Sequence, residues 1–373
     1  MQKPEIRFVA AVFIIICSMV INGCSIRTTH LERPQTIEKG EKPSEKPVEP
    51  FRYSDPNFET FTLDVQGLLK QRDFAGLEKM ASDFRSTKKR FNGGGWKIYS
   101  FYLLTTSPLS HGHGDADWES HFKLLREWKE AFPMSIAARS SLANAHLAFA
   151  WVARGDEFAD KVSDTAMNIF QERLKKAEEE IEEAAKLDQR CYGYFEVLLI
   201  LGKAQSWSSE KFDEVFQEAV NYDRTYQYFY TAKATNLMPR WGGKIGEWEE
   251  FADNTKDSLG EPEGLKMYYQ IVAEIHKYDR ADLFHENRVS WESTKKGFEL
   301  FEKEFGMTRA KLNEHARMAI NAKDTQESCN TFKRLLGEND YDPGSWKTRE
   351  GFESHKKIAM EMCKILKADN QVK

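Results

Sequence analysis

The chain has 373 residues, 30% charged and 40% apolar, with 59 Asp and Glu against 54 Lys and Arg for a formal net charge of −5. That mildly acidic balance argues against a general nucleic-acid binder and offers no polybasic patch for anionic lipid. None of the 5 cysteines forms a C-x-x-C pair of the kind found in metal or redox sites, and no motif calls for a cofactor.

Lys3 and Arg7 precede an apolar run from Phe8 to Val20, too short for a committed membrane span of ~20 residues and patterned as a secretory signal. The run ends in Ile21-Asn22-Gly23-Cys24. This tetrad resembles the lipobox cut by bacterial lipoprotein signal peptidase, with Asn22 a less common occupant. An uncleaved anchor helix is the alternative. The resemblance implies that residues 1–23 are a signal peptide and that the mature chain begins at an acylated Cys24. Two or more acyl chains hold a protein on a membrane where one does not, at ~0.8 kcal/mol per buried methylene. Ser25 in place of Asp implies, by the same resemblance, sorting to the outer membrane with the protein facing the periplasm.

Residues 24–57 read as a tether. Five prolines (Pro34, Pro43, Pro47, Pro50 and Pro56) and the charge-mixed run from Glu38 to Lys42 leave almost nothing apolar to bury, so chain entropy wins and the segment is expected to stay disordered.

From 58 to 373 the spacing predicts one all-α domain. Phe170, Leu174, Ala177, Ile181, Ala184 and Ala185 make one helical stripe; Phe212, Val215, Phe216, Ala219 and Val220 make another, opened by Ser208-Ser209-Glu210 as an N-terminal cap. Glycines 155, 202, 260, 306 and 337 stand where such patterns stop, as helix C-termini require. An echo at 35 residues aligns Ala177, Ile181, Ala184 and Asp188 with Phe212, Phe216, Ala219 and Asp223, close to the period of tetratricopeptide helix pairs. Helical hairpins are expected near 58–90 and 117–153 before the echo, and near 290–337 and 345–367 after it. The expected architecture is an irregular tetratricopeptide-like α-solenoid.

Several blocks carry a family resemblance: Ala131-Phe132-Pro133, Ala150-Trp151-Val152-Ala153-Arg154-Gly155, Gln171-Glu172-Arg173-Leu174, and Pro239-Arg240-Trp241-Gly242-Gly243 followed by Glu247-Trp248-Glu249-Glu250-Phe251. Together they resemble the bacterial family called domain of unknown function 4034 over about residues 60 to 360. The resemblance implies a helical, tetratricopeptide-like fold and brings no activity, substrate or catalytic residue.

Three segments invite a site. His111, His113, Asp115 and Asp117 on a glycine-containing loop have metal-ligand chemistry, but no remote His or Cys pair completes a set, and the favoured reading is a solvated loop with Asp117 capping a helix from Trp118. Arg240 and Trp241 sit in a proline–glycine breaker that reads as a turn with Trp241 and Trp248 wedged between helix pairs, or as a binding point for a peptide or glycan. The glycines of Asn92-Gly93-Gly94-Gly95 lack the Lys-Ser/Thr and preceding strand of a phosphate loop.

Nucleophile motifs are missing. The reading is a lipid-anchored, non-enzymatic interaction module with an unknown protein partner; an envelope hydrolase or metal-dependent enzyme, and an immunity-type inhibitor, are the alternatives. Of the cysteines left after processing, Cys329 and Cys363 are not expected to bridge. A simple hairpin of helices 325–336 and 346–366 sets Cys329 opposite residue 353, which leaves Cys363 ~15 Å away against a disulfide limit of ~7 Å. Three free, buried thiols are expected, Cys191 among them.

Overall fold

The computed structural model describes residues 56–110, 114–155, 161–278, 283–284, 288–337, 340–346 and 348–371. The signal sequence, Cys24 and the tether as far as residue 55 lie outside the described residues. Among the described residues the chain is all-α, and its β-type pairing is limited to an isolated bridge between Arg90 and Trp96.

The first expected hairpin is α1 (Pro56–Gln71) and α2 (Phe74–Thr87), parted at Arg72, whose φ is 56°. Helices α3 (Lys97–Thr106), α4 (Asp115–Ala131) and α5 (Ile136–Arg154) follow. The middle of the chain forms α6 (Asp164–Ala185), α7 (Tyr192–Ala204), α8 (Ser209–Tyr222) and α9 (Gln227–Asn236), then a short 3-10 turn at Pro239–Trp241. The last part is α10 (Glu247–Leu259), α11 (Glu263–Tyr278), α12 (Trp291–Phe305), α13 (Arg309–Asn321), α14 (Thr325–Phe332) and α15 (Arg349–Gln371).

Local chemistry explains these boundaries. Ser135, Ser163, Ser208, Ser290, Thr308 and Asp324 each accept the backbone N–H three residues on, which satisfies an orphan donor at the start of α5, α6, α8, α12, α13 and α14. Gly155, Gly260 and Gly306 end α5, α10 and α12 at φ of 73°, 68° and 72°, where a side chain would be strained. Two glycines depart from the expected role. Gly202 lies inside α7, where a Cβ would come within 2.7 Å of the Trp207 ring, so it is a packing notch rather than a stop. Gly337 lies beyond the end of α14, in the connection to α15.

Helices pair in sequence, and the first helices of successive pairs also pack on one another: α5 on α7, α7 on α9, α9 on α11. The 35-residue echo falls on α6 and α8, second helices of consecutive pairs, with Ala184 and Ala219 both fully buried. Lining the first helices from the inside is α3, whose sequence is apolar around most of its circumference and which packs on α1, α2, α5 and α7. Tyr99 of α3 stacks on Tyr228 of α9 with ring centroids 3.6 Å apart.

The glycine segment after α2 holds the start of the domain to α12. Gly93 and Gly94 both have φ of 79°. The Gly93 N–H donates to the Phe305 carbonyl at 2.7 Å, and a Cβ at Gly94 would fall 2.3 Å from the Phe301 ring. Arg90 lies over Trp96 at 4.0 Å and Phe305 at 4.5 Å. This is a docking turn, consistent with the failure of the phosphate-loop reading.

At the C-terminus a second, smaller core gathers Ala316, Phe332, Leu335, Trp346, Phe352 and Ala359. Here the cysteine expectation is overturned: Cys329 and Cys363 form a disulfide, with Cα atoms 5.5 Å apart. The hairpin argument failed because the connection between α14 and α15 is not a turn. Asp342 accepts from Ser345, and the Trp346 indole donates to Asn313 of α13 at 2.8 Å, so α15 enters at an offset that residue counting misses. Cys191 is free and buried, as expected, and its sulfur accepts the Tyr194 N–H at 3.4 Å. No helix among the described residues is long and apolar enough to cross a membrane.

Candidate functional site

The first helices turn matching stripes toward a common cleft. On α5 the stripe is Asn144, Leu147, Ala148 and Trp151; on α9 it is Tyr228, Thr231, Ala232 and Thr235. Both follow the i, i+3, i+4, i+7 rule for one helix face. Helix α7 contributes Glu196, Ile200 and Lys203, α11 contributes Glu274, and α3 closes one side with Tyr99 and Leu103. Glu196 and Ile200 stand 35 residues before Thr231 and Thr235, so the echo seen on the second helices extends to this inner face. The cleft encloses about 790 Å³ of empty space, part of it continuous with solvent.

Three ionisable side chains are buried in this largely apolar setting. Glu196 is 8% exposed and accepts a hydrogen bond from the Tyr226 hydroxyl; burial pushes its carboxyl up to about 8, against the pull of that bond. Lys203 is 6% exposed and its ammonium sits 4.9 Å from the Trp241 ring. Burial draws it down to about 8; Glu274 opposes the shift and Arg240 adds to it. Glu274 binds Lys277 through one carboxylate oxygen at 2.7 Å, while the other oxygen is buried without a hydrogen-bond partner. The hydroxyls of Thr231 and Thr235 are turned back onto the carbonyls of Tyr228 and Thr231.

The residues singled out from sequence fall around this cleft unevenly. Trp241 closes over Lys203 and meets Trp151 edge-on at 5.9 Å, and Trp248 is fully buried. Arg240 is exposed, with its guanidinium 5.5 Å from Trp241 and 5.8 Å from Tyr278. His111 and His113 lie outside the described residues. Asp115 pairs with Arg173 at 3.3 Å. Helix α4 starts at Asp115 rather than Trp118, and Asp117, in its first turn, accepts the Gly114 N–H at 3.0 Å. Among the described residues no group of three His, Cys, Asp or Glu side chains could hold a metal ion.

Sequence reasoning missed Glu196, Lys203 and Glu274. A signal was available: α7 reads Tyr-Gly-Tyr-Phe-Glu-Val-Leu-Leu-Ile-Leu-Gly-Lys-Ala, and a helix apolar all round is a buried one, so its two charges need a reason to be there.

No family model, no curated protein and no solved structure matches this chain.

Proposed function

We propose that the protein is a lipid-anchored envelope module that binds a protein partner in the cleft formed by α5, α7, α9 and α11, with α3 closing one side. In this reading Cys24 carries the acyl chains, the tether spaces the domain from an outer membrane, and the helix pairs act as a tetratricopeptide-like solenoid in the periplasm. The observation that carries the binding part is the alignment of same-face stripes from successive first helices onto one open cleft, the geometry by which stacked helix pairs present extended recognition surfaces. The lipidated anchor rests on the lipobox-like tetrad, and the helical-repeat reading also agrees with the resemblance to domain of unknown function 4034.

One observation favours a second reading, an envelope enzyme: Glu196 and Lys203 both titrate near 8, where a general acid or base is effective. Against it, no Ser, Cys or His among the described residues lines the cleft, and its threonine hydroxyls are occupied by backbone carbonyls.

The test is photo-crosslinking in cells producing the full chain. A photoreactive amino acid at Leu103, inside the cleft, is expected to trap a discrete protein adduct, while the same probe at Glu182, exposed on α6, is not. Adducts from Glu182 alone would overturn the proposal.

A further inference from the structure

The cleft holds a positive group with no ion pair and a negative group satisfied through only one of its oxygens. The Lys203 ammonium makes no hydrogen bond or ion pair among the described residues, although the residue is 6% exposed. Glu274 keeps one buried carboxylate oxygen without a partner. The two attract each other across the cleft, yet no direct ion pair joins them. Buried charges are ordinarily paired or hydrogen-bonded because an unpaired one is costly to desolvate. Here a donor and an acceptor are held apart beside apolar and aromatic walls formed by Leu147, Trp151 and Ile200.

We infer that this cleft is a binding site for a small zwitterion of the α-amino-acid class with an apolar side chain. Its carboxylate meets the Lys203 ammonium, its ammonium meets the unpartnered oxygen of Glu274, and its side chain lies against Trp151, Leu147 and Ile200. Charge complementarity selects this class over simpler ones. A carboxylate alone satisfies Lys203 but sets a second negative charge against Glu274. An amine alone satisfies Glu274 but faces Lys203. A ligand carrying both charges on groups bonded to one carbon can meet both groups without adding net charge to a buried site. Glu196, protonated at neutral pH because burial raises its carboxyl to about 8, adds a neutral hydrogen-bonding group to the same wall. This site goes beyond the partner-binding proposal and does not depend on it: a crosslinked partner can be found or missed whatever small molecule the cleft takes.

The experiment is calorimetric titration of the full mature chain in detergent with five probes: L-phenylalanine, L-leucine, 3-phenylpropionate, 2-phenylethylamine and N-acetylphenylalaninamide. At least one of the two amino acids is expected to bind saturably at one site per chain. Phenylpropionate and phenylethylamine, each lacking one charge, and the amide, lacking both, are expected to bind at least about tenfold more weakly, since each leaves the Lys203 ammonium unpaired, the second Glu274 oxygen unsatisfied, or both. Lys203→Met is expected to abolish the preference for phenylalanine over phenylethylamine, and Glu274→Gln the preference over phenylpropionate. The probe panel on the unmodified protein stands even if a variant fails to fold. Equal binding of charged and uncharged analogues, or no binding of either amino acid up to about 10 mM, overturns the inference.

Discussion

At the junction of α11 and α13 the buried ionisable groups are joined to one another, whereas in the cleft bounded by α7, α9 and α11 they are held apart. His276 and Glu314 are 0% and 6% exposed and share a hydrogen bond. Asn321 reaches the other His276 ring nitrogen at 2.7 Å, and Arg317 lies 3.4 Å from the second Glu314 oxygen. Lys311 is the exception on this side, its ammonium resting on the Phe301 ring at 4.0 Å. Two residues before His276 on the same α11, Glu274 pairs with Lys277 through one oxygen and leaves the other without a partner, and Lys203 of α7 lines the cleft with no ion pair among the described residues. The two regions are similarly buried, so burial alone does not distinguish them; Lys311 apart, they differ in whether the buried charges are joined to one another.

The largest expected effect comes from breaking the closed network. Removing one member of a buried pair costs ~3–5 kcal/mol, so Glu314→Ala should lower unfolding free energy by about that amount in urea titrations. The pH dependence has a definite sign. Burial alone would raise the Glu314 carboxyl, but His276, Arg317 and Lys277 outweigh it and hold the group at about 2 against an ordinary 4.5. Its stabilising contribution is therefore present above pH 4.5 and lost as pH falls toward about 2, and Glu314→Ala should flatten the stability profile in that window.

The disulfide should be next in size. It ties α14 to α15 beside the smaller core, and a bridge across 34 residues contributes roughly 2–4 kcal/mol. Thiol counting on the denatured, unreduced domain should find one reactive thiol, Cys191, and Cys363→Ser should lower stability by a similar amount. Three thiols would show that the α14–α15 offset described here is wrong.

The smallest effect should come from the cleft. Lys203→Met removes a buried charge that has no partner to strand, so its stability should stay within about 1 kcal/mol of the unmodified protein or rise. A loss as large as that from Glu314→Ala would erase the distinction between the two regions.

Much of the fold was legible in the sequence because it is written in short-range periodicity. The stripes on α6 and α8, the cap at Ser208 and the echo joining Ala184 to Ala219 depend on residues within one or two helices of each other. What was not legible depends on how helices stack. The bridge between Cys329 and Cys363 turns on an irregular connection anchored by Trp346 on Asn313. Gly202 is a notch for Trp207, which only the tertiary contact reveals. The cleft unites Glu196 with Glu274 across three helices, a juxtaposition no spacing rule encodes, although two charges inside the apolar α7 were its visible trace. Arg240 and Trp241 were noticed for their own chemistry, and the structure makes Trp241 the neighbour of the more consequential Lys203.

The most direct test of the central claim is the titration of Lys203, followed by the side-chain carbon signals of lysine-labelled protein and assigned with Lys203→Arg. An unpaired, buried ammonium in the cleft should titrate at about 8. An ordinary value near 10.5 would mean that Lys203 is solvated or already paired, and would contradict the account of the cleft as a site holding its charges apart.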